Sequence, residues 1–221
     1  MNVETHPFEP FLPQNARLLM LGTFPPSEKR WAMKFYYPNF TNDMWRIFGL
    51  CYFGDKTHFV LQDRKTYNLD AIIPFLQREG IAMYDTCTRI IRTKGTASDK
   101  DLQVVKETDL SAMLLRLPHC RAVLTAGQLA TTIACRQFNI PEPKVGEYVE
   151  FHLPPSTIHH PPSTIHPPLS TLHYPPSAFT ACPPLRVPIP CPSSVRLPTT
   201  KPCLSIVVVN SEFDALTSSF L

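Results

Sequence analysis

Proline divides this chain into two parts that cannot fold alike. Fifteen of its 25 prolines lie after Phe151, within less than a third of the 221 residues. In that part a short unit recurs, as LPPSTIH, HPPSTIH, PPLSTLH and YPPSAFT. Proline lacks a backbone N–H and interrupts helices and central strands, so we expect polyproline-like or irregular chain there. The sequence therefore predicts an α/β domain over 1–150, a proline-rich low-complexity segment over 151–203 and a short C-terminal tail over 204–221.

Histidine recurs along with this repeat. The positions are His159, His160, His166 and His173. A metal site built from these histidines and a proline-rich ligand for a partner domain are both open alternatives. Duplication of the repeat accounts for the histidines without either function. We therefore predict no metal and no cofactor.

The composition permits many functions and decides few. A formal net charge of +3 suits a protein with a local positive groove and an ordinary cytosolic enzyme equally well. The first ten residues have neither the basic start nor the apolar core of a leader peptide, and the aliphatic runs are too short to span a bilayer. The seven cysteines form no CxxC pair, and Cys51, Cys87, Cys120 and Cys135 lie in contexts typical of buried, reduced thiols. We expect a cytoplasmic protein without membrane contact.

Strand and helix patterns alternate before residue 150. Continuous apolar runs, typical of strands buried on both faces, occur at Arg17–Leu21, Ile81–Tyr84 and Ala122–Thr125. Helical spacing of apolar residues follows Asn68, Asp109 and Gly127, and Pro74 predicts a kink in the first of these helices. Strands separated by helices favour a parallel sheet covered on both faces. The predicted fold class is therefore α/β.

Ligands bind at the carboxyl ends of the strands in such sheets. The first of these ends is followed by Gly22-Thr-Phe-Pro-Pro26, a loop that its two prolines hold stiff. Because proline has no N–H, donors to a ligand must come from Thr23, Phe24 or residues after Pro26. A stiff loop with few amides suits the recognition of a base edge better than the cradling of a phosphate. An ordinary strand-ending turn is the alternative.

A second candidate region is the aromatic stretch Phe35-Tyr-Tyr-Pro-Asn-Phe-Thr-Asn-Asp-Met-Trp45. Aromatic rings can stack on an extruded base while neighbouring amides read its edge. Asn42 or Thr41 as a simple helix cap and Trp45 as a core residue are the alternatives. Asp85 ends the second predicted strand, where it either faces the site or caps the following turn.

The segments LGTFPP, FYYPNFTNDMW, GIAMYDTC and LTAGQLA, in this order, resemble the uracil-DNA glycosylase superfamily. The resemblance covers about 17–149 and is strongest to the mismatch-specific uracil and hypoxanthine branches. Asn42-Asp43-Met44-Trp45 fits their Asn-x-aromatic-Trp helix start, with Met44 in place of the aromatic residue. The resemblance implies a three-layer α/β/α sandwich with a short central parallel sheet, followed here by the proline-rich irregular tail. It also implies that the protein excises a base from DNA containing a deaminated or mismatched base, and we expect a monomer.

The resemblance also assigns roles to individual residues. Asn42 would position the attacking water, and Asp85 is the second candidate catalytic residue. Tyr37 would stack on the extruded base, whose edge would be lined by Gly22, Thr23, Phe24 and Pro25. In the mismatch-specific branch the water-holding Asn lies in the first loop, at the position of Phe24 here. The hypoxanthine-type arrangement therefore fits better, and the preferred base stays open between uracil, hypoxanthine and related bases.

Candidate DNA contacts come from three further segments. The first segment carries basic side chains beside a predicted helix start at Ser98, and the second is the end of the third strand. The predicted DNA contacts from these two segments are Arg92, Lys94, Ser98, Lys100, Gly127 and Gln128. A solvated loop is the alternative for the first group. Ser193 and Ser194 resemble a displaced remnant of the family's Pro-Ser-rich wedge loop, although chance in a Pro- and Ser-rich stretch explains them equally well.

The position of that remnant, beyond the repeat, leaves a rival function open. Without its wedge the protein would extrude bases poorly, and it would then be a catalytically impaired DNA- or protein-binding descendant with a proline-rich interaction tail. An unrelated α/β hydrolase is a third hypothesis. The absence of a glycine-rich loop and of a GxSxG motif makes it the weakest.

Overall fold

The structure is a computed structural model that describes residues 2–94 and 98–153 and the backbone of 204–209. The strands are β1 (Val3–Thr5), β2 (Leu18–Gly22), β3 (Val60–Leu61), β4 (Thr66–Tyr67), β5 (Ile81–Asp85), β6 (Cys87–Arg92), β7 (Leu102–Glu107), β8 (Ala122–Ala126), β9 (Tyr148–Phe151) and β10 (Leu204–Val209). The α-helices are α1 (Met44–Phe53), α2 (Leu69–Glu79), α3 (Leu110–Leu115) and α4 (Gln128–Phe138). Two short 3-10 turns cover Glu28–Arg30 and Asp99–Asp101.

The central sheet has the strand order β5-β2-β8-β10-β9. Strands β5, β2, β8 and β10 are parallel, whereas β9 pairs antiparallel with β10 at one edge. The three apolar runs of the sequence form β2, β5 and β8, and β5 is buried along its whole length. The predicted parallel sheet is confirmed. Its strands end together, since Gly22 at the end of β2 lies opposite Asp85 at the end of β5.

Helices cover the sheet as predicted, with α2 packed on β5 and α4 on β8. The Asn68 side chain accepts a hydrogen bond from the Ala71 N–H, and Gly80 ends α2 in the left-handed conformation at φ 68°. Pro74 lies inside α2, which nevertheless runs without a break from Leu69 to Glu79. Buried side chains of the helices and of both sheet faces form one large apolar core. The three-layer α/β/α architecture is therefore confirmed.

A second sheet, with the antiparallel order β1-β6-β7, was not predicted. A capped helix start was expected at Ser98. The structure has only the 3-10 turn Asp99–Asp101 there, and Ser98 makes no side-chain cap bond. The chain then continues as β7, in which more and less exposed residues alternate, as the period of a strand requires. The predicted helix was therefore wrong.

The C-terminal part of the chain contributes β10 to the central sheet between β8 and β9. No element was predicted for 204–221. The proline-rich repeat and the predicted contacts Ser193 and Ser194 lie outside the described residues. The division of the chain at 150 and 203 stays a prediction.

Four cysteines lie among the described residues, and all four are free thiols. Cys87, Cys120 and Cys135 are buried, but Cys51 on α1 is exposed, so its predicted burial was wrong. No helix of the described residues is long and apolar enough to cross a membrane.

Candidate active site

A cavity of about 530 Å³ opens at the carboxyl ends of β2, β5 and β8. Ten of the residues singled out in the sequence line it, and they come from five separate segments: Gly22, Thr23, Phe24, Pro25, Tyr37, Asn42, Asp85, Ser98, Gly127 and Gln128. The register of the parallel strands brings these segments together, because it aligns the last residues of β2, β5 and β8. The candidate site therefore lies where the fold class places ligands.

Three predicted DNA contacts do not line the cavity. The guanidinium of Arg92 is 6% exposed, bonds both carboxylate oxygens of Glu4 at 3.1 Å and donates to the Pro25 carbonyl at 3.0 Å. Lys94 is exposed and lies 3.8 Å from the Asp101 carboxylate. Lys100 is exposed on the 3-10 turn. Arg92 is thus engaged in supporting the first loop, while the two lysines remain accessible.

The loop after β2 is fixed by contacts along its length. The Pro25 carbonyl accepts from Arg92, and the Pro26 carbonyl accepts from the Trp31 indole at 2.7 Å. Earlier in the loop, the carbonyls of Gly22 and Thr23 accept main-chain N–H groups of the segment after β5 at 2.9 and 3.1 Å. Within the described residues, the main-chain N–H groups of Thr23 and Phe24 donate to no other group. Two donors are therefore available to a ligand at the place that the sequence indicated.

Gly22 and Asp85 meet at the ends of their paired strands. Asp85 is 6% exposed. A Cβ added to Gly22 would collide with Oδ1 of Asp85 and would stand 3.8 Å from the Tyr37 hydroxyl oxygen. Any other residue would displace the carboxylate, because Asp85 Oδ1 occupies the space of its Cβ. Gly22 therefore leaves room for the Asp85 carboxylate and also begins the loop.

A histidine that was not predicted as a site residue holds this carboxylate. His6 Nε2 lies 2.8 Å from Asp85 Oδ2, and the His6 side chain is 2% exposed. Its ring packs against those of Tyr84 and Phe24, at centroid distances of 4.7 and 5.3 Å. The N-terminal segment shows no strong periodicity, so only its pairing with β6 in three dimensions reveals the contact. Asp85 is thus oriented by a buried partner.

Tyr37 combines two unusual features. Its φ of 51° is in the left-handed region, which bulky residues rarely adopt. Its hydroxyl oxygen is buried and has no hydrogen-bond partner among the described residues. Burial, and next the Asp85 carboxylate, raise the pKa of Tyr37 far above its ordinary value, so the phenol keeps its proton. A strained residue with an unpaired buried O–H is typical of a ligand site.

Asn42 both starts a helix and lines the cavity. Its Oδ1 accepts from the Met44 N–H at 2.9 Å, and its main-chain carbonyl accepts from the Tyr67 hydroxyl at 2.6 Å. The N-cap position itself belongs to Asp43, which makes no side-chain cap bond. Trp45 is fully buried, in agreement with its alternative interpretation as a core residue. These contacts hold Asn42 at the cavity wall and leave its amide N–H groups available.

Asp99 is the second cavity residue that was not predicted. Its carboxylate accepts from the Thr23 hydroxyl at 3.1 Å and lies beside the Leu129 N–H at the start of α4. Burial is the main cause that raises the pKa of Asp99, and the charge of Asp85 adds to it. Gly127 precedes α4 at φ 111°, and a Cβ there would stand 3.1 Å from Asp99 Oδ2. A carboxylate thus already occupies the helix end where a phosphate contact was predicted.

The charge of the lining limits what the cavity can bind. Asp43, Asp85 and Asp99 line it, whereas no lysine, arginine or histidine among the described residues does. The described residues also contain no group of three or more side chains able to hold a metal ion. An anion would be repelled from this cavity, while a neutral group with hydrogen-bonding edges would be accepted.

No protein-family model matches the chain, and no curated protein matches it. Among solved structures, the chain is similar to a solution NMR structure from Methanosarcina acetivorans, described as a "putative Uracil DNA glycosylase". The two sequences are 21% identical, and the match covers 63% of this chain and 80% of that one with a TM-score of 0.46. This likeness does not assign the chain to a family.

Proposed function

We propose that this protein is a DNA glycosylase that hydrolyses the N-glycosidic bond of a deaminated base, uracil or hypoxanthine, flipped out of DNA. Such a reaction initiates base excision repair. One observation carries the proposal. The segments whose order resembles the glycosylase superfamily, although far apart in sequence, converge on one cavity at the carboxyl ends of β2, β5 and β8.

The cavity suits a single base. Its volume of about 530 Å³ is within the range of small-molecule pockets, roughly 300–1,000 Å³. Tyr36, Tyr37 and Phe24 supply aromatic walls, on which an extruded base can stack. Uracil and hypoxanthine both present a carbonyl beside an N–H. The free N–H groups of Thr23 and Phe24 complement such a carbonyl, and the carboxylates complement the N–H.

The chemistry requires orientation more than a strong base. Cleavage of a glycosidic bond passes through an oxocarbenium-like sugar, which a nearby carboxylate stabilises. We assign that role to Asp85, and we assign the positioning of the attacking water to Asn42. The Thr23 and Phe24 N–H groups would stabilise the negative charge that develops on the departing base. Phosphates would stay outside the acidic cavity.

Single-turnover cleavage of duplexes containing uracil or hypoxanthine tests the proposal. We expect an abasic product from at least one of them, and a loss of about 100-fold in rate for Asn42→Ala, typical of a lost positioning group. Asn42→Asp keeps the acceptor for the Met44 N–H and isolates the role of the amide. No abasic product from the folded wild-type protein with either duplex would refute the activity on these bases.

Asn68→Ala is the matched control. Asn68 caps α2 as Asn42 supports α1, so both substitutions remove a helix-start hydrogen bond. Each should lower the free energy of unfolding by about 1 kcal/mol. Only Asn42 lines the cavity, so only its substitution should slow cleavage. Equal rates for the two variants would reduce Asn42 to a helix-start residue.

A second candidate function is DNA binding without catalysis. The observation that favours it is the exposure of Lys94 and Lys100 outside the acidic cavity, where they can contact DNA phosphates without any part in catalysis. Under this hypothesis, affinity for a uracil-containing duplex would persist while no base is released. The cleavage assay, combined with fluorescence anisotropy on the same duplex, separates the two functions.

A further inference from the structure

We infer that His6 is a positioning residue that fixes the Asp85 carboxylate for catalysis. Its contact with Oδ2 leaves Oδ1 against Gly22 at the wall of the cavity. The inference rests on the proposed function, because it assigns His6 a role in the chemistry of the same site. His6 does not itself line the cavity, so it would act only through Asp85.

Main-chain hydrogen bonds before and after Asp85 in the sequence hold the N-terminal segment so that His6 lies opposite Asp85. Strand β1 pairs with β6 so that Thr5 lies opposite Arg89, and the His6 N–H donates to the Thr88 carbonyl at 2.8 Å. Farther on, Phe11 and Met83 exchange two main-chain hydrogen bonds of 3.0 and 2.9 Å. The N-terminal segment is thus anchored on each side of Asp85. This anchoring fixes the backbone that carries the imidazole.

The hydrogen bonds of the imidazole make its contact with Asp85 independent of the charge of His6. Nδ1 lies 2.8 Å from the Phe8 carbonyl oxygen and 3.2 Å from the Phe8 nitrogen. A neutral ring protonated on Nε2 accepts at Nδ1 from the Phe8 N–H, and a charged ring donates from Nδ1 to the Phe8 carbonyl. The other neutral tautomer would turn an unprotonated Nε2 toward the carboxylate, where two acceptors repel each other. Nε2 carries a proton in both of the favoured states. It can therefore donate to Oδ2 in either state of the ring.

Within the described part of the chain, the Asp85 carboxylate has a single hydrogen-bond donor. Among the described residues, only His6 donates to its carboxylate, since Thr108 bonds the main-chain carbonyl of Asp85 instead. The carboxylate lies at the end of β5, and rotation about its last bond would exchange or displace the two oxygens. A bond at Oδ2 stops that rotation and so sets where Oδ1 stands. Partners of this kind are needed for accurate placement of a reacting group.

The test compares His6→Leu with His6→Gln in single-turnover cleavage. Leucine removes the donor, whereas the glutamine amide can reach Oδ2 in place of Nε2. We expect His6→Leu to slow the chemical step about 10- to 100-fold, the usual cost of losing a positioning partner. Substrate affinity should change less than about twofold, because His6 contacts no ligand. His6→Gln should recover most of the rate.

His58→Leu is the control for the loss of a histidine ring. His58 stacks on Phe53 with a centroid distance of 3.6 Å and does not line the cavity. We expect an unchanged rate per folded molecule. Loss of rate in His58→Leu to the same extent as in His6→Leu would show a general effect of destabilisation and would overturn the inference.

A double-mutant cycle separates positioning from a structural role. If His6 acts through Asp85, His6→Gln and His6→Leu should have almost no further effect on the rate in an Asp85→Asn background. The inference would be overturned if the rate losses of His6→Leu and Asp85→Asn multiplied in the double variant. It would also be overturned if His6→Leu cleaved at the wild-type rate. If His6→Leu does not fold, His6→Phe replaces it in the cycle, because phenylalanine keeps an aromatic ring beside Tyr84 and Phe24 but has no donor.

A measurement that needs no activity completes the test. Nitrogen-15 NMR of the full chain should show His6 Nε2 protonated at neutral pH, with a signal that shifts in Asp85→Asn. An Nε2 without a proton would contradict the inference. If the wild type cleaves no substrate while Nε2 is protonated, the proposed function fails but the His6–Asp85 contact stands.

Discussion

The two ends of the parallel sheet carry opposite chemistry. At the carboxyl ends of β2, β5 and β8 lies the candidate active site, lined by three aspartates and aromatic rings. At the amino ends of the same strands a second cavity, of about 690 Å³, is lined by Arg17, Arg78, Arg121 and His119, with Glu79 as the one acid among its described lining residues. The chain's net charge of +3 therefore says little about either end. The function is set by where the charges lie.

The contrast follows from where each strand begins and ends. Arg17 and Arg121 stand directly before β2 and β8, and the Arg121 N–H donates to the Arg17 carbonyl at 2.8 Å. Those arginines lie side by side at the amino end, as Gly22 and Asp85 do at the carboxyl end. The basic cavity has no Phe, Tyr or Trp among its described lining residues. It lacks the aromatic side chains that line the acidic cavity, so we expect catalysis at the acidic end alone.

The largest effect should come from the acidic end. Asp85→Asn keeps the shape of the side chain but removes the charge that would stabilise an oxocarbenium-like sugar. We expect cleavage to slow by about 100-fold or more, measured under single-turnover conditions. Asp43→Asn is the matched control, because Asp43 also lines the cavity but is exposed and paired with Arg46 at 3.3 Å. A loss in the control as large as that in Asp85→Asn would contradict a specific role for Asp85.

Gly22→Ala should have the next largest effect. Its new Cβ would collide with Asp85 Oδ1, so the carboxylate or the strand end must move. We expect a rate lower by about 10-fold and a free energy of unfolding lower by about 1–3 kcal/mol, as for other overpacked sites. In Gly49→Ala the new Cβ would collide with the Asp55 carbonyl, away from the cavity. The control should lose stability but keep its rate per folded molecule.

The difference between the ends also shows what the sequence could predict. The apolar runs at 18–21, 81–84 and 122–125 identified the strands, and the loops after their carboxyl ends indicated where the cavity lies. His6 could not be found in this way, because its contact with Asp85 depends on the antiparallel pairing of β1 with β6. Asp99 was overlooked between two candidate residues, Ser98 and Lys100. Strand β10 follows the proline-rich repeat, so its pairing with β8 and β9 could not be predicted from the order of strand and helix patterns before residue 150.

Tyr37→Phe tests whether the unpaired hydroxyl is kept for a ligand. Because this O–H has no partner among the described residues, its removal should leave the free energy of unfolding unchanged or raise it by up to about 1 kcal/mol. Tyr36→Phe removes a hydroxyl that donates to the Glu9 carbonyl at 2.8 Å, and should lower that free energy by about 1 kcal/mol. Urea unfolding measures both. A Tyr37→Phe protein as destabilised as Tyr36→Phe would mean that the Tyr37 hydroxyl supports the fold.

The smallest effect should come from the basic end. Arg17→Ala combined with Arg121→Ala should leave the cleavage rate and duplex affinity within about twofold of the wild type, since both residues lie at the opposite end of the sheet from the candidate site. Lys94→Ala combined with Lys100→Ala should instead weaken duplex binding and reduce its salt dependence, by a slope of about 1 for each phosphate that a lysine no longer neutralises. Both lysines are exposed beside the turn that borders the acidic cavity. The opposite result would be a weaker salt dependence of duplex affinity in the arginine variant and an unchanged one in the lysine variant. DNA would then bind at the amino end of the sheet, and the assignment of DNA binding to the acidic end would be wrong.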